Sequence, residues 1–163
     1  MILKYIFIIL LVFIVGCQSD CQDANVFELE YTNERIELLF SNDNAKSFDH
    51  FDSSNQFAYK WITNKNELTE YLQHTQLKLR TDTSKLDSFD FEHYNLFAII
   101  YWESCTNARH DITICENSVV QFSMEQLNVC DEGMVLRLRL IQVPKRVDRV
   151  DYYGRDLTLM TDA

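Results

Sequence analysis

The chain has 163 residues, which makes a single domain the expectation. Lys and Arg number 15 against 25 Asp and Glu, a net charge of −10. That supplies no basic face for phosphate contacts and excludes a nucleic-acid partner. A hydrophobic fraction of 47%, with 3 glycines and 1 proline, excludes a disordered or low-complexity chain.

Residues 1–17 read MILKYIFIILLVFIVGC. One cation, Lys4, precedes an apolar run of 11 residues from Tyr5 to Val15. A helix that crosses a bilayer needs about 20, so the run fits the core of a signal peptide. It closes on Ile14-Val15-Gly16-Cys17, and polar residues follow at once. This ending resembles the lipobox of bacterial lipoproteins: an aliphatic residue, a small or aliphatic residue, a small residue, then cysteine. The resemblance implies that residues 1–16 are a signal peptide, cut between Gly16 and Cys17, and that Cys17 is acylated. Two or three acyl chains anchor stably where one is marginal, at about 0.8 kcal/mol per buried CH₂. It also implies a lipid-anchored protein of the bacterial cell envelope, held to its membrane through Cys17. Gln18 stands where an aspartate would signal inner-membrane retention in enterobacteria, which points to the outer membrane. An ordinary secretory signal or a short uncleaved anchor is the other reading of this segment. The mature chain has 147 residues, with 14 cations against 25 acids, a net charge of −11.

Residues 17–25 are polar and aperiodic, and read as a tether between lipid and domain. Val26–Tyr31 and Arg35–Phe40 are β-compatible runs around Thr32-Asn33-Glu34, which suggests a hairpin. Residues 41–56 read as loop. Phe57–Ile62 reads as a strand. Asn64 with Glu67 makes a capping-box-like start. Leu68, Tyr71 and Leu72 then give one apolar face, so a helix is expected over about 65–75. Residues 76–90 read mostly as loop. The continuous run in 94–105 predicts a central strand buried on both faces. Ile112 and Ile114, then Val120, Phe122 and Met124, then Leu136, Leu138 and Leu140 alternate with polar neighbours, as half-exposed antiparallel strands do. A further strand at Leu157–Met160 is allowed. The expectation is one α+β domain over 26–163, with a mainly antiparallel sheet. Its four-strand meander spans about 96–143, and one short helix packs on a face.

The order Trp61-Ile62-Thr63-Asn64 to Tyr71-Leu72, then Asp90-Phe91 before Leu96–Tyr101, then Val143-Pro144-Lys145, resembles small lipoproteins of Bacteroidota-type bacteria. Among these are PrcB-like domains proposed to assist an exported protease. The likeness covers about residues 57–145. Ser104-Cys105-Thr106-Asn107 stands where PrcB-like domains carry a glycine-rich turn.

Five cysteines occur, at 17, 21, 105, 115 and 130. Lipidation of Cys17 leaves four, and export favours disulfides among them. In a meander Cys105 and Cys130 end the first and third strands at the same side of the sheet. Cys105–Cys130 is therefore the favoured bridge, closing a loop of about 26 residues worth about 3 kcal/mol. Cys21–Cys115 follows by elimination, with buried or free thiols as the alternative. No CxxC pair occurs and His110 is the only histidine near the cluster, so no metal site is expected.

No GxSxG, HExxH, P-loop or GxGxxG is present. Nothing in the spacing pairs His50, His74, His93 or His110 with a cysteine. Asp49-His50-Phe51-Asp52 lacks the glycine and terminal glutamate of a calcium loop. No catalytic residue and no cofactor is expected. Tyr152 and Tyr153, beside Gly154 and Arg155, offer a surface for a protein partner. Arg137 and Arg139, near Lys145, Arg146 and Arg149, form a basic stripe. It would either receive an acidic partner or pair with acids on neighbouring strands such as Glu125. The reading is a binding or accessory module of the envelope. The alternatives are an envelope enzyme with a site of scattered residues, or a periplasmic protease inhibitor or immunity-type protein.

Overall fold

The unbroken apolar run near residue 98 lies at the centre of the molecule, where Leu96, Phe97, Ala98, Ile99 and Ile100 are all fully buried. The computed structural model describes residues 21–80, 84–104, 109–115, 119–125 and 134–158. The first strands are β1 (Cys21–Asp23), β2 (Val26–Tyr31), β3 (His50–Asp52), β4 (Phe57–Ile62) and β5 (Leu77–Leu79). Next come β6 (Tyr94–Ser104), β7 (Arg109–Cys115), β8 (Val119–Glu125), β9 (Met134–Pro144), β10 (Arg149–Tyr152) and β11 (Arg155–Thr158). The helices are α1 (Lys65–Thr75) and the single turn α2 (Ser84–Asp87), with 3₁₀ turns at Ile36–Phe40 and Asn42–Ser47.

Two sheets result. A six-stranded antiparallel sheet runs β3-β4-β6-β9-β2-β5, and a five-stranded one runs β1-β7-β8-β10-β11, with β8 and β10 parallel. The larger sheet is covered on both faces, because alternate residues of β6 feed different cores. Leu96, Ala98 and Ile100 pack with α1 (Leu68, Tyr71) and the 3₁₀ segment (Leu39, Phe40). Phe97, Ile99 and Tyr101 pack with Ile112, Val120 and Val150 of the smaller sheet. The fold is α+β and mostly sheet, as expected.

Helix α1 spans the expected residues. The Asn64 side chain accepts from the Glu67 N–H at 3.0 Å, and the Glu67 carboxylate accepts from the Thr63 N–H at 2.7 Å. Gln76 ends the helix in the left-handed conformation, φ 56°.

Several expectations are corrected. The four strands of 96–143 exist but do not form a meander. β6 pairs with β9 over its whole length, from Tyr94↔Pro144 to Ser104↔Met134, while β7 and β8 form a hairpin in the other sheet. Strand length accounts for this. β6 and β9 have 11 residues each, and the 7-residue β7 and β8 have one apolar face that they bury by stacking on the larger sheet. Arg137 and Arg139 consequently lie on the face that the smaller sheet covers, beside Ile141 and Val143, and not on a wet face. Residues 36–40 turn as 3₁₀ instead of extending. Asn33 Oδ1 accepts from the Arg35 N–H at 3.0 Å, and the neighbours Leu39 and Phe40 are buried in the same core, whereas successive residues of a strand point to opposite faces. Residues 21–23 of the expected tether are strand β1. The expected loops contain β3, β5, α2 and a 3₁₀ turn.

Candidate functional site

β6, β9 and β2 place a ladder of ionic and aromatic side chains at one end of the inter-sheet layer. Arg139 donates from Nε to Glu28 at 2.9 Å and from a terminal nitrogen to the Tyr101 hydroxyl at 2.5 Å. Its guanidinium carbon lies 5.7 Å from the Tyr101 ring centre, a cation–π distance. Arg137 donates from Nε to Glu103, a carboxylate with 1% side-chain exposure. The arginines thus pair with acids on neighbouring strands, but with Glu28 and Glu103. The side chain of Glu125 lies outside the described set.

Aromatic rings cover this ladder. Tyr152 is half-buried and packs on Phe57, Tyr101, Phe122 and Tyr153 at centroid distances of 5.2, 5.4, 5.3 and 4.8 Å. It is a packing residue in the main. Tyr153 is 43% exposed, and Arg155 is exposed. Tyr153 (φ 49°) and Gly154 (φ 81°) form the two-residue turn between β10 and β11, both in the left-handed region that such hairpins require. The Asp151 carboxylate accepts from the Gly154 N–H at 2.6 Å and fixes the turn. The structure therefore splits the expected Tyr152, Tyr153 and Arg155 surface: one tyrosine is inside, and the other stands at the tip with Arg155.

Burial pushes the Tyr101 hydroxyl well above the ordinary tyrosine range; Arg139 works against the shift and Glu103 with it. Tyr152 and Tyr153 are raised mainly by burial as well. All three are neutral near pH 7, so these tyrosines offer hydroxyls and ring faces and no phenolate.

Several other chemical groups have local partners. Cys21 and Cys115 are joined by a disulfide across β1 and β7, with Cα atoms 4.0 Å apart. Neither is a nucleophile. Cys17, Cys105 and Cys130 lie outside the described residues, as does the favoured Cys105–Cys130 bridge. His50 stacks on Tyr59 at 5.4 Å, His74 is exposed on α1, and His110 lies within β7. Asp49 accepts from the Trp61 N–H at 2.7 Å, and Asp52 caps the β3–β4 turn through Ser54 and Asn55. Asp90, Glu92 and His93 are the only grouping among the described residues that could hold a metal ion, and all three are exposed. Asp90 also accepts from the Glu92 and His93 N–H groups, and His93 Nδ1 lies 2.8 Å from its other oxygen, so the grouping caps a turn.

An open cleft of about 710 Å³ lies between β1 and the β9 terminus, lined by Gln22, Asp23, His93, Lys145 and Arg146 among others. Residue patterning did not single it out, because its walls come from segments over a hundred residues apart. No helix among the described residues is long and apolar enough to cross a membrane.

Compared with protein-family models, with curated proteins and with solved structures, the chain matches none of them.

Proposed function

We propose that this is an exported, lipid-anchored envelope protein that acts as a binding or accessory module. The observation that carries the reading is the run of residues 1–17, a single cation, an apolar core and Ile14-Val15-Gly16-Cys17, placed four residues before a cysteine engaged in a disulfide. Disulfides persist outside the reducing cytosol, so Cys21–Cys115 supports the exported setting. The accessory role is supported by the β10–β11 turn, held by the Asp151 carboxylate, which offers Tyr153 and Arg155 to a partner; tyrosine and arginine are favoured interface anchors.

Acyl labelling in a bacterial host tests the anchor: label enters the wild type and is absent from Cys17→Ser. Equal labelling of the two sinks the lipoprotein reading. Crosslinking in cells, followed by affinity capture through a C-terminal tag, tests the module. One dominant envelope protein is expected, lost when Tyr153 and Arg155 are replaced by alanine with Tyr152 left in place. Capture that survives both replacements removes the turn as the surface.

A further inference from the structure

We infer that the end of the domain bearing Lys145, Arg146 and Arg149 rests on the anionic headgroups of the membrane that holds Cys17. The inference depends on the lipoprotein reading above and adds an orientation to it.

Chain length comes first. Three residues, Gln18, Ser19 and Asp20, separate Cys17 from Cys21. Fully extended, such a stretch reaches about 14 Å at most. Cys21 cannot swing away from the domain, because the disulfide and the pairs Gln22↔Ile114 and Asp23↔Thr113 hold it on β7. A tether this short keeps the Cys21 end of the domain at the bilayer surface.

The register identifies what else lies there. Cys21 is opposite Cys115, Cys115 opposite Val119, and Val119 opposite Arg149. Four neighbouring strands thus end together, within about 15 Å at the usual strand spacing. Lys145 and Arg146 line the same cleft as Gln22 and Asp23. All three cations are exposed. Lys145 and Arg146 make no ion pair within the described residues, and Arg149 Nε is 3.8 Å from Asp156.

Charge then sets the direction. A mature chain of −11 is repelled as a whole by an anionic surface. Asp20 of the tether, Asp23, Glu92, Asp148 and Asp156 share the anchored end with its three cations, so that end carries −2 of the −11 and is repelled less than the rest of the domain, which carries −9. Attraction to headgroups acts within a Debye length of about 8 Å. That range covers the anchored end and leaves out the Tyr153 turn, at the opposite end of β10. Long, exposed lysine and arginine side chains reach phosphate oxygens from such an edge.

The test uses the full lipidated protein in vesicles of phosphatidylethanolamine and phosphatidylglycerol. A photoreactive benzoylphenylalanine replaces Asp148 in one sample and Tyr153 in another. Intact mass is read first. A protein without acyl mass overturns the lipoprotein reading, and this inference with it. With acylated protein, lipid adducts are expected from position 148 and not from 153. The adducts at 148 are expected to fall to the 153 level in K145A/R146A/R149A, whose exposed sites leave the fold intact by circular dichroism. Equal adducts from both positions, or adducts at 148 unchanged by the triple substitution, overturn the orientation and leave the lipoprotein reading standing.

Discussion

Arg137 on β9 donates to the carboxylate of Glu103 on β6, and that carboxylate is buried between the two sheets. A buried charge that loses its partner costs more than the pair contributes, because the remaining ion stays desolvated. Arg137→Met is expected to lower stability by about 3 kcal/mol. Adding Glu103→Leu should restore most of the loss, since both charges are then gone. Urea unfolding of the single and double variants decides. A double variant no more stable than the single would show that Glu103 has a structural role beyond Arg137.

The Cys21–Cys115 bridge spans 94 residues of sequence and fastens a three-residue edge strand. Chain-entropy reasoning gives a loop of this length about 4–5 kcal/mol, reduced to the extent that β1 frays alone once released. Cys115→Ala is expected to lower the unfolding midpoint strongly, and mild reduction of the wild type should do the same. Peptide mapping without reductant should recover residues 21 and 115 in one linked species. Free thiols at both positions would remove the bridge.

What could be read from the residues was local. The cap at Asn64 and Glu67 marked α1, and the apolar continuity of residues 96–100 marked β6 as central. Alternation placed β7, β8 and β9. Partnership between strands was not legible, because a period of two says which residues share a face and nothing about what covers it. Arg137 and Arg139 showed this most clearly. Their acids, Glu103 and Glu28, lie 34 and 111 residues away. The same limit hid the packing of Tyr152, whose polar neighbours in sequence suggested exposure. Tyr153 and Arg155 are exposed at the β10–β11 turn, and nothing in the residue pattern separated them from Tyr152.

The Asn64 cap predicts a modest, local effect. Its side chain satisfies the Glu67 N–H at the start of α1. Asn64→Ala should cost about 1 kcal/mol, and Asn64→Asp very little, because aspartate caps equally well. Thermal unfolding of the two variants separates them. Equal losses would mean that the Asn64 amide, which donates to Glu67 at 2.8 Å, matters more than its oxygen.

Tyr71 carries a different kind of cost. Its hydroxyl is buried under α1 and has no hydrogen-bond partner among the described residues. Tyr71→Phe deletes an unsatisfied polar atom and keeps the ring against Phe48 at 5.8 Å. It should be neutral or stabilising by about 1 kcal/mol. A clear loss of stability would reveal a partner for that hydroxyl.

The same burial fixes how stability depends on alkaline pH. Burial raises the hydroxyls of Tyr71, Tyr101 and Tyr152 well above the ordinary tyrosine value of 10.0. Below that value both folded and unfolded chains keep these protons, and the contribution is fully present. Above it the unfolded chain releases protons that the folded chain retains. Stability then falls as pH rises toward the folded values, since the slope follows the difference in bound protons. Unfolding free energy measured from pH 8 to pH 11 should be level with respect to these groups up to about 10 and decline beyond it. Tyr71→Phe should make the decline shallower, because one of the groups responsible is gone. Tyrosinate absorbance should appear together with unfolding. If it appears at ordinary pH for every tyrosine while the fold persists, the buried hydroxyls are not what limits stability in base.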